Sequence, residues 1–456
     1  MTPAAPKSRR TAMDQMTDAA GLSLSELLDC VRDGPEEGRF EVARRIFADP
    51  AIFELEMRNI FESTWVYLAH ESQIPQANDF VAARIGRSPV LVTRGEDGQV
   101  HAFLNSCSHR GAELTASKRG NKRHLTCPYH GWVYDSAGRC VNVDAKERGG
   151  YPTYFETLSH DLAKVRVGVY RGFIFGSLND AVEPIEQHLG GAARVIDAMA
   201  DQSPDGLELV RGGIRYTCNA NWKMQLENID GYHFFPVHTN YIGLIVERQK
   251  KAGNTIKTID PTQMASLPGG CYQFENGHIM DWALMPNGDE RPLGFQRERI
   301  TREFGPDQAQ WMIDAIRNLA IFPNLLLMDQ SSSTVRIVHP LAVDRTLVEV
   351  YCVAPKGEPA AARERRLRQF EDFLGPAGMA TPDDQSVMEA CQRGFTATGQ
   401  PYLQGHFRGA ARQLQGADDN ARRLGLAPQV STGDIDDEVF THGQYRQWLR
   451  LMTQAG

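Results

Sequence analysis

Two short segments carry cysteine and histidine in matching pairs. Cys107 and His109 form the first pair, Cys127 and His130 form the second, and 17 residues separate His109 from Cys127. Two thiolates and two imidazoles can hold a 2Fe-2S cluster in which the cysteines bind one iron and the histidines bind the other. The neutral imidazoles raise the cluster potential to roughly −150 to +300 mV, against about −400 mV for all-cysteine plant-type clusters. Such a cluster would take electrons from a ferredoxin-like donor and pass them on.

The same four residues could instead form a structural zinc site, because Cys2His2 is also a zinc ligand set. Two details favour iron: each half pairs one cysteine with one histidine, and the second half continues as Gly131-Trp132. The halves, Cys107 to Gly111 and Cys127 to Trp132, resemble the Cys-x-His-Arg-Gly and Cys-Pro-x-His-Gly-Trp motifs of the Rieske family. The resemblance implies a Rieske 2Fe-2S cluster whose ligands are Cys107, His109, Cys127 and His130.

A second group of polar residues lies in segment 221–238, which has the apolar spacing of a helix. At about 100° per residue, Asp230 and His233 lie about 60° apart on one helix face, and His238 lies about 140° from His233. Pro236 would break or kink the helix, so that His238 could turn back toward His233. Two imidazoles and a carboxylate can hold a non-haem Fe(II) with positions open for dioxygen and substrate. The histidines could also be ordinary core residues, and this segment leaves the third ligand open.

Segment 221–238 resembles the large subunits of Rieske aromatic ring-hydroxylating oxygenases. Those subunits carry Asn-Trp-Lys, Glu-Asn, Asp-x-Tyr-His and a second histidine, all of which occur between Asn221 and His238. The family's carboxylate ligand follows much later in the chain, and the resemblance places it at Asp384, with Asp383 as the alternative. By itself, the sequence around Asp384 describes an ordinary helix start. The resemblance therefore implies a mononuclear Fe(II) held by His233, His238 and Asp384.

The likeness runs from about Gly38 to the C-terminus and is nearest to benzoate, toluate and anthranilate dioxygenase large subunits. It implies a terminal oxygenase that uses O2 to convert an aromatic carboxylate into a cis-dihydrodiol. Electrons would come from NADH through a separate reductase, directly or through a ferredoxin, because this chain has no nicotinamide or flavin fingerprint. The family also implies an α3 or α3β3 oligomer, in which Asp230 joins His109 or His130 of one subunit to His233 of the next.

Two other functions remain open from the sequence. A related monooxygenase that hydroxylates salicylate or a similar aromatic acid would need the same two metal sites. A non-enzymatic iron-sulfur electron carrier or a zinc-stabilised binding module would lack the mononuclear iron. The spacing from Glu227 to Asp230 is one residue shorter than in the nearest subunits, which keeps the metal ligands and leaves the substrate open.

The composition is that of an ordinary globular protein, with 456 residues, of which 41% are hydrophobic and 23% charged. No apolar run approaches the ~20 residues that span a bilayer, so no membrane segment is expected. The net charge of −8 argues against a nucleic-acid partner, which would need a basic face. Ser8-Arg9-Arg10 could begin a twin-arginine export signal, but no apolar segment follows it. We therefore expect a disordered tail and a cytoplasmic protein.

The pattern of elements predicts an α+β protein, with a small all-β domain and a larger domain whose antiparallel sheet is flanked by helices. The resemblance implies that the small domain is a Rieske domain and the larger one the catalytic domain. The predicted domains are an N-terminal tail with helices packing on the catalytic domain (1–60), a Rieske domain (61–178) and a catalytic domain (179–456). Both pairs of cluster ligands are predicted to lie at hairpin tips. Predicted helices cover 22–31, 40–61, 185–200, 222–235 and 358–373, with a helix start expected near Pro50. A predicted meander covers 320–328, 334–339 and 346–353.

Overall fold

The structure is a computed structural model that describes residues 21–144, 146, 148–251, 253, 266–330 and 332–454. The Ser8-Arg9-Arg10 segment and the predicted tail lie outside these residues. The chain divides into two compact units: Phe61–Gln187 with Leu207–Leu209, and the described parts of Met1–Ile60, His188–Gly206 and Val210–Gly456. The domain boundaries expected near residues 60 and 178 remain a prediction.

The smaller unit is built from short antiparallel strands, as expected for an all-β domain. One sheet has the strand order Val100–Leu104, Ser88–Arg94, Asp79–Ile85 and Arg119–Asn121. A second has the order Cys140–Asn142, Val133–Asp135 and His124–Thr126, and a third has the order Arg166–Tyr170, Phe173–Ser177 and Val66–His70. A core that includes Phe80, Phe103 and Tyr134 also contains Cys107 and Cys127. The core of this unit therefore reaches the proposed cluster ligands.

The larger unit contains an extended antiparallel sheet. Its strand order is Ile214–Cys218, Arg345–Pro355, Ser333–Ala342, Leu325–Asp329, Ala315–Ile321, Ile279–Leu284, Gly269–Gln273, Val430–Thr432 and Leu414–Gln415. The meander predicted between residues 320 and 353 is therefore confirmed, except that its first predicted run, 320–328, contains the turn between two strands. A small separate sheet joins Val31–Gly34, Arg39–Ala43 and Tyr402–Leu403.

Helices accompany the large sheet, so the α+β class is confirmed. Among the described residues the α-helices are Leu24–Leu28, Pro50–Glu56, Ile185–Leu189, Ala193–Ala200, Lys223–Glu227, Phe234–Val237, Thr239–Lys251, Arg297–Phe304, Pro306–Ala309, Ala360–Gln369, Thr381–Gly394, Asp419–Leu424 and His442–Thr453. No helix among the described residues has the length and apolar character needed to cross a bilayer.

The prediction of helical structure over 40–61 is wrong for its first residues, whereas the helix start expected near Pro50 is confirmed. Arg39–Ala43 is a strand, in which Phe40 and Val42 are buried and Arg39 is exposed. The helix begins later, at Pro50, where Asp49 caps it by accepting a hydrogen bond from the Ala51 amide. Alternating burial in the first residues has the period of a strand, and a cap with proline then starts the helix.

Candidate metal centres

The two segments that carry the cluster ligands fold into matching turns. In each, the cysteine amide donates to a carbonyl five residues ahead, and a glycine amide four residues ahead donates to the cysteine carbonyl. The bonds are Cys107 N to Ala112 O, Gly111 N to Cys107 O, Cys127 N to Trp132 O and Gly131 N to Cys127 O. Gly111 and Gly131 have φ of 75° and 71°, a left-handed conformation that favours glycine. The glycine of each motif is thus a requirement of the turn.

The prediction that both pairs lie at hairpin tips is half correct. Cys127 and His130 lie between the paired strands His124–Thr126 and Val133–Asp135, at the tip of a hairpin. Cys107 and His109 follow strand Val100–Leu104, but the next strand in sequence, Arg119–Asn121, joins the far edge of that sheet. The first pair therefore lies in a long connection rather than at a tip.

All four predicted cluster ligands come together in the smaller unit. Cys107 and Cys127 are buried, and the ring centroids of His109 and His130 lie 4.5 Å apart. The Nδ1 atoms of both histidines are buried and make no hydrogen bond to any part of the chain that the structure describes. Unpartnered imidazole nitrogens beside two buried thiols are the donor set of a Rieske cluster, so these residues fit that group.

Two aromatic residues support the four ligands. The Tyr134 hydroxyl lies 3.3 Å from Sγ of Cys107 and accepts a hydrogen bond of 3.2 Å from the Ser108 amide. Burial raises the pKa of Tyr134, so this residue stays a phenol that can donate to the sulfur. The His109 ring stacks on Trp132 at a centroid distance of 4.9 Å. Sequence reasoning missed the role of Tyr134, because a tyrosine in a strand carries no signal of a sulfur contact.

The second centre begins with a break in the predicted helix. Helix Lys223–Glu227 ends at Asn228, and a new short helix covers Phe234–Val237. The prediction of one helix over 222–235, broken at Pro236, is therefore wrong. Pro236 lies in the first turn of the second helix, where the backbone amides have no partner within the helix, so a proline is tolerated there. Residues 228–233 make the turn instead. There the Gly231 amide donates to the Ile435 carbonyl, and a Cβ on Gly231 would lie 2.7 Å from Ile435 Cγ1.

The turn brings His233 and His238 to Asp384. Nε2 of His238 lies 3.2 Å from Oδ1 of Asp384, and Nε2 of His233 lies 3.5 Å from the same atom. One donor atom from each of the three residues falls within a mutual distance of 4.8 Å. Two imidazoles and one carboxylate in such proximity form the donor set of a facial triad, which fits a mononuclear Fe(II).

The electrostatics of this group favour a cation. Burial disfavours a charged His233, but Asp230 and Asp384 outweigh it and raise the pKa of His233 to about 10. Burial also disfavours ionised Asp384, yet His233 and His238 hold the pKa of its carboxyl below the usual range. The carboxylates of Asp230 and Asp384 thus stabilise positive charge at this position, which a divalent metal would supply in place of a proton.

Asp230 and Asp383 occupy different places around this triad. Asp230 accepts two hydrogen bonds from His233, one from the His233 backbone amide at 3.0 Å and one from its Nδ1 at 3.1 Å. Oδ2 of Asp383 lies 3.8 Å from Nδ1 of His238, whereas Asp384 faces Nε2, the other nitrogen of that ring. The geometry therefore supports Asp384 over Asp383 as the carboxylate of the triad.

A buried ion pair anchors the helix that leads to the triad. Nζ of Lys223 lies 2.5 Å from Oε1 of Glu56, and both side chains are fully buried. The indole nitrogens of Trp222 and Trp448 donate to the same carboxylate at 2.8 and 2.7 Å. The Trp-Lys part of the Asn-Trp-Lys motif thus fixes the start of helix Lys223–Glu227 against helices Pro50–Glu56 and His442–Thr453.

Comparison with protein families gives two matches on this chain. Residues 64–164 match the Rieske 2Fe-2S domain, and residues 206–450 match the ring hydroxylating alpha subunit catalytic domain. The first match contains the four proposed cluster ligands, and the second contains the proposed triad.

Curated relatives agree with the resemblance predicted from the motifs. The chain is 44% identical to the toluate 1,2-dioxygenase subunit alpha of Pseudomonas putida, over 96% of this chain and 97% of that protein. It is 42% identical to the 2-halobenzoate 1,2-dioxygenase large subunit of Burkholderia cepacia, over 94% and 92%. It is 39% identical to the anthranilate 1,2-dioxygenase large subunit of Acinetobacter baylyi, over 93% and 92%. The predicted family resemblance is confirmed.

A solved structure supports the fold. Naphthalene 1,2-dioxygenase with indole bound in the active site superposes with a TM-score of 0.80 and 26% sequence identity, covering 91% of this chain and 92% of that one. The architecture of a small β domain and a large sheet with helices is therefore shared with a dioxygenase.

Proposed function

Because the chain belongs to the family of ring-hydroxylating oxygenase alpha subunits, we propose that it is the large subunit of a terminal oxygenase that dihydroxylates an aromatic carboxylate to a cis-dihydrodiol. The chain is an enzyme of the dioxygenase kind, with a Rieske 2Fe-2S cluster and a mononuclear iron as its cofactors. The relatives toluate, 2-halobenzoate and anthranilate dioxygenase share an aromatic acid as substrate, which supports this substrate class.

The observation that carries the proposal is that one chain presents both donor sets. Cys107, His109, Cys127 and His130 would hold the cluster, and His233, His238 and Asp384 would hold the iron. When bound, the cluster supplies electrons one at a time and the Fe(II) activates dioxygen. A triad of three protein ligands leaves coordination positions for O2 and for the approach of the substrate.

The residues around the triad have separate tasks in this proposal. Asp230 keeps the proton on Nδ1 of His233, so that Nε2 faces the metal position. Phe234 and Phe373, whose rings lie 5.7 and 5.8 Å from that of His238, exclude water from one side of the site. An apolar wall suits an aromatic ring and protects the reaction from side reactions with water.

The proposal extends to partners and assembly. Electrons come from NADH through a separate reductase, with or without a ferredoxin, in the cytoplasm. The chain forms an α3 or α3β3 oligomer, in which the Asp230 carboxylate of one subunit also bonds to His109 or His130 of the next. The names of the relatives as alpha or large subunits support a multisubunit enzyme.

The test is product analysis with the holoenzyme and an NADH-dependent reductase. The substrates are benzoate, toluates, 2-halobenzoate, anthranilate, salicylate and p-cumate under 18O2. We expect a cis-diol that carries two labelled oxygen atoms, and about three irons per chain. A product with a single labelled oxygen would favour the monooxygenase. No product from any acid, with about two irons per chain, would favour an electron carrier.

A further inference from the structure

A row of polar side chains crosses the large sheet of the larger unit. The strand register pairs Asp281 with Asn318, Asn318 with Met328, and Met328 with Thr334. Residues that lie directly opposite each other on paired strands project to the same face of the sheet. Asp281, Asn318 and Thr334 therefore share one face, on strands Ile279–Leu284, Ala315–Ile321 and Ser333–Ala342.

This face is the one that carries the proposed iron site. Thr334 pairs with Cys352, which packs in one cluster with Phe373 and Ala380. Phe373 lies against the His238 ring, and Ala380 directly precedes helix Thr381–Gly394, which carries Asp384. Asp281, at the other end of the row, interacts electrostatically with Asp230 and His233.

The polar atoms of the row are buried and make no close hydrogen bond. Asp281 and Thr334 are fully buried and Asn318 is 3% exposed. Both carboxyl oxygens of Asp281, Oδ1 of Asn318 and Oγ1 of Thr334 make no hydrogen bond of normal length within the part of the chain that the structure describes, and the Asp281 carboxyl interacts only weakly with Asn318. Buried polar groups are almost always paired, because an unpaired one destabilises the folded state. Three of them in one row beside a catalytic site indicate that a ligand pairs with them.

We propose that Asp281 and Asn318, with Thr334 at the end of the row, form the subsite that hydrogen-bonds the carboxylate of the aromatic acid. The inference rests on the proposed function and identifies the group that recognises the acid. The row contains no basic side chain, so recognition depends on neutral donors. A carboxylate offers two acceptor oxygens, and hydrogen bonds to an ionised acceptor are stronger than those between neutral groups.

The environment of Asp281 makes it a donor. Burial raises the pKa of the Asp281 carboxyl well above its ordinary value, and the opposing effects of Asn318 and His233 are smaller. A neutral carboxylic acid carries one O–H that can donate to a substrate carboxylate. The Thr334 hydroxyl carries one O–H donor, and the Asn318 amide can turn its NH2 group in place of the unpaired Oδ1 toward an anion, because the two orientations of an amide fill the same space. The row can thus bind an anion without placing a second charge in the buried site.

Three variants of the holoenzyme test this subsite: Asp281→Leu, Asp281→Asn and Asn318→Leu. Asp344→Asn is the control, because it makes the same chemical change at an exposed turn of the same sheet. Benzoate is compared with toluene, in which a methyl group replaces the carboxylate, and with aniline, which carries an amine. The readouts are kcat/KM and, independently of turnover, equilibrium binding of each compound. The visible spectrum of the cluster and the melting temperature establish that each variant is folded.

We expect both leucine variants to weaken benzoate binding and kcat/KM by about 30-fold, with toluene changed less than about threefold. Asp281→Asn keeps an N–H donor and should stay within about threefold of the wild type for benzoate. Equal losses for benzoate and toluene, unchanged benzoate binding in both leucine variants, or a loss confined to aniline would each overturn the subsite. So would a wild-type protein that does not bind benzoate.

The two proposals fail in different ways. A wild-type holoenzyme that binds benzoate through these residues but forms no oxygenated product would contradict the proposed function alone. If the wild-type holoenzyme dihydroxylates benzoate and the leucine variants keep the wild-type preference for benzoate over toluene, only the subsite is contradicted.

Discussion

Oδ2 of Asp230 lies 3.1 Å from Nδ1 of His233, while Nε2 of the same ring lies 3.5 Å from Asp384. The imidazole is therefore held from one side by a carboxylate and presents its other nitrogen to the proposed iron position. A carboxylate in this position fixes the tautomer of a metal-binding histidine and increases its basicity. In the proposed oligomer, the same carboxylate would also connect the mononuclear iron to the cluster of a neighbouring subunit.

Replacing Asp230 by alanine should leave both metals bound and slow electron transfer to the mononuclear iron. The triad and the cluster ligands are untouched, whereas loss of such a supporting carboxylate lowers activity about 10- to 100-fold. Asp230→Asn retains an acceptor oxygen and should retain more of the rate. Iron content and the rate of cluster reoxidation in a single turnover measure the effect. Reoxidation at the wild-type rate in Asp230→Ala would refute this role.

Replacing Asp384 by alanine should remove the mononuclear iron, because the triad loses its only carboxylate. Iron should fall from about three to about two per chain, while the visible spectrum of the cluster persists. Asp383→Ala is the matched control, since Asp383 precedes Asp384 in the same helix and faces the other nitrogen of His238. We expect this control to keep about three irons. Loss of iron from Asp383→Ala, but not from Asp384→Ala, would reverse the assignment.

Tyr134→Phe should keep the cluster and lower its reduction potential. The Tyr134 hydroxyl lies 3.3 Å from Sγ of Cys107, and a hydrogen bond to a cluster sulfur stabilises the more negative reduced state. For a one-electron couple, loss of one neutral hydrogen bond corresponds to roughly 20–60 mV. Tyr129→Phe, at an exposed tyrosine beside His130, is the control. Protein-film voltammetry gives the potentials, and equal values for Tyr134→Phe and wild type would exclude this contact. Cys107→Ser, in contrast, should abolish the colour.

Lys223→Met should destabilise the larger unit by about 3–5 kcal/mol, because it leaves the buried Glu56 carboxylate without its cation. Burial lowers the pKa of Lys223, which shows that the pair is held in a dry environment. The double variant Lys223→Met/Glu56→Gln removes both charges and should recover much of this loss. Urea unfolding of the single and double variants measures the difference. A double variant less stable than Lys223→Met would contradict this account.

The motifs predicted the chemistry well, because metal ligands depend on residue types at short spacings. Cys107 with His109 and Cys127 with His130 specify local turns, and glycine completes each of them. Asp384 is different, because its neighbouring residues indicate only a helix start, and its role as a metal ligand follows from the family resemblance. The structure brings that residue to the two histidines through a helix that begins 143 residues after His238.

The remaining features depend on tertiary structure, which the sequence pattern does not contain. The apolar spacing of 222–235 predicts a continuous helix, but contact of Gly231 with Ile435 requires a turn there. Asp281 and Asn318 are 37 positions apart in the chain, and only the strand register makes them neighbours. Neither residue stands out in a sequence without that register.

In the proposed enzyme, a Rieske cluster stores electrons and delivers them to a mononuclear iron, where the aromatic acid is oxygenated. The most direct test is a single turnover of the chemically reduced holoprotein, without any reductase, with benzoate and 18O2. We expect the cluster to be oxidised and a cis-diol with two labelled oxygen atoms to form. A cluster that stays reduced in the presence of benzoate and oxygen, with no labelled product, would contradict it.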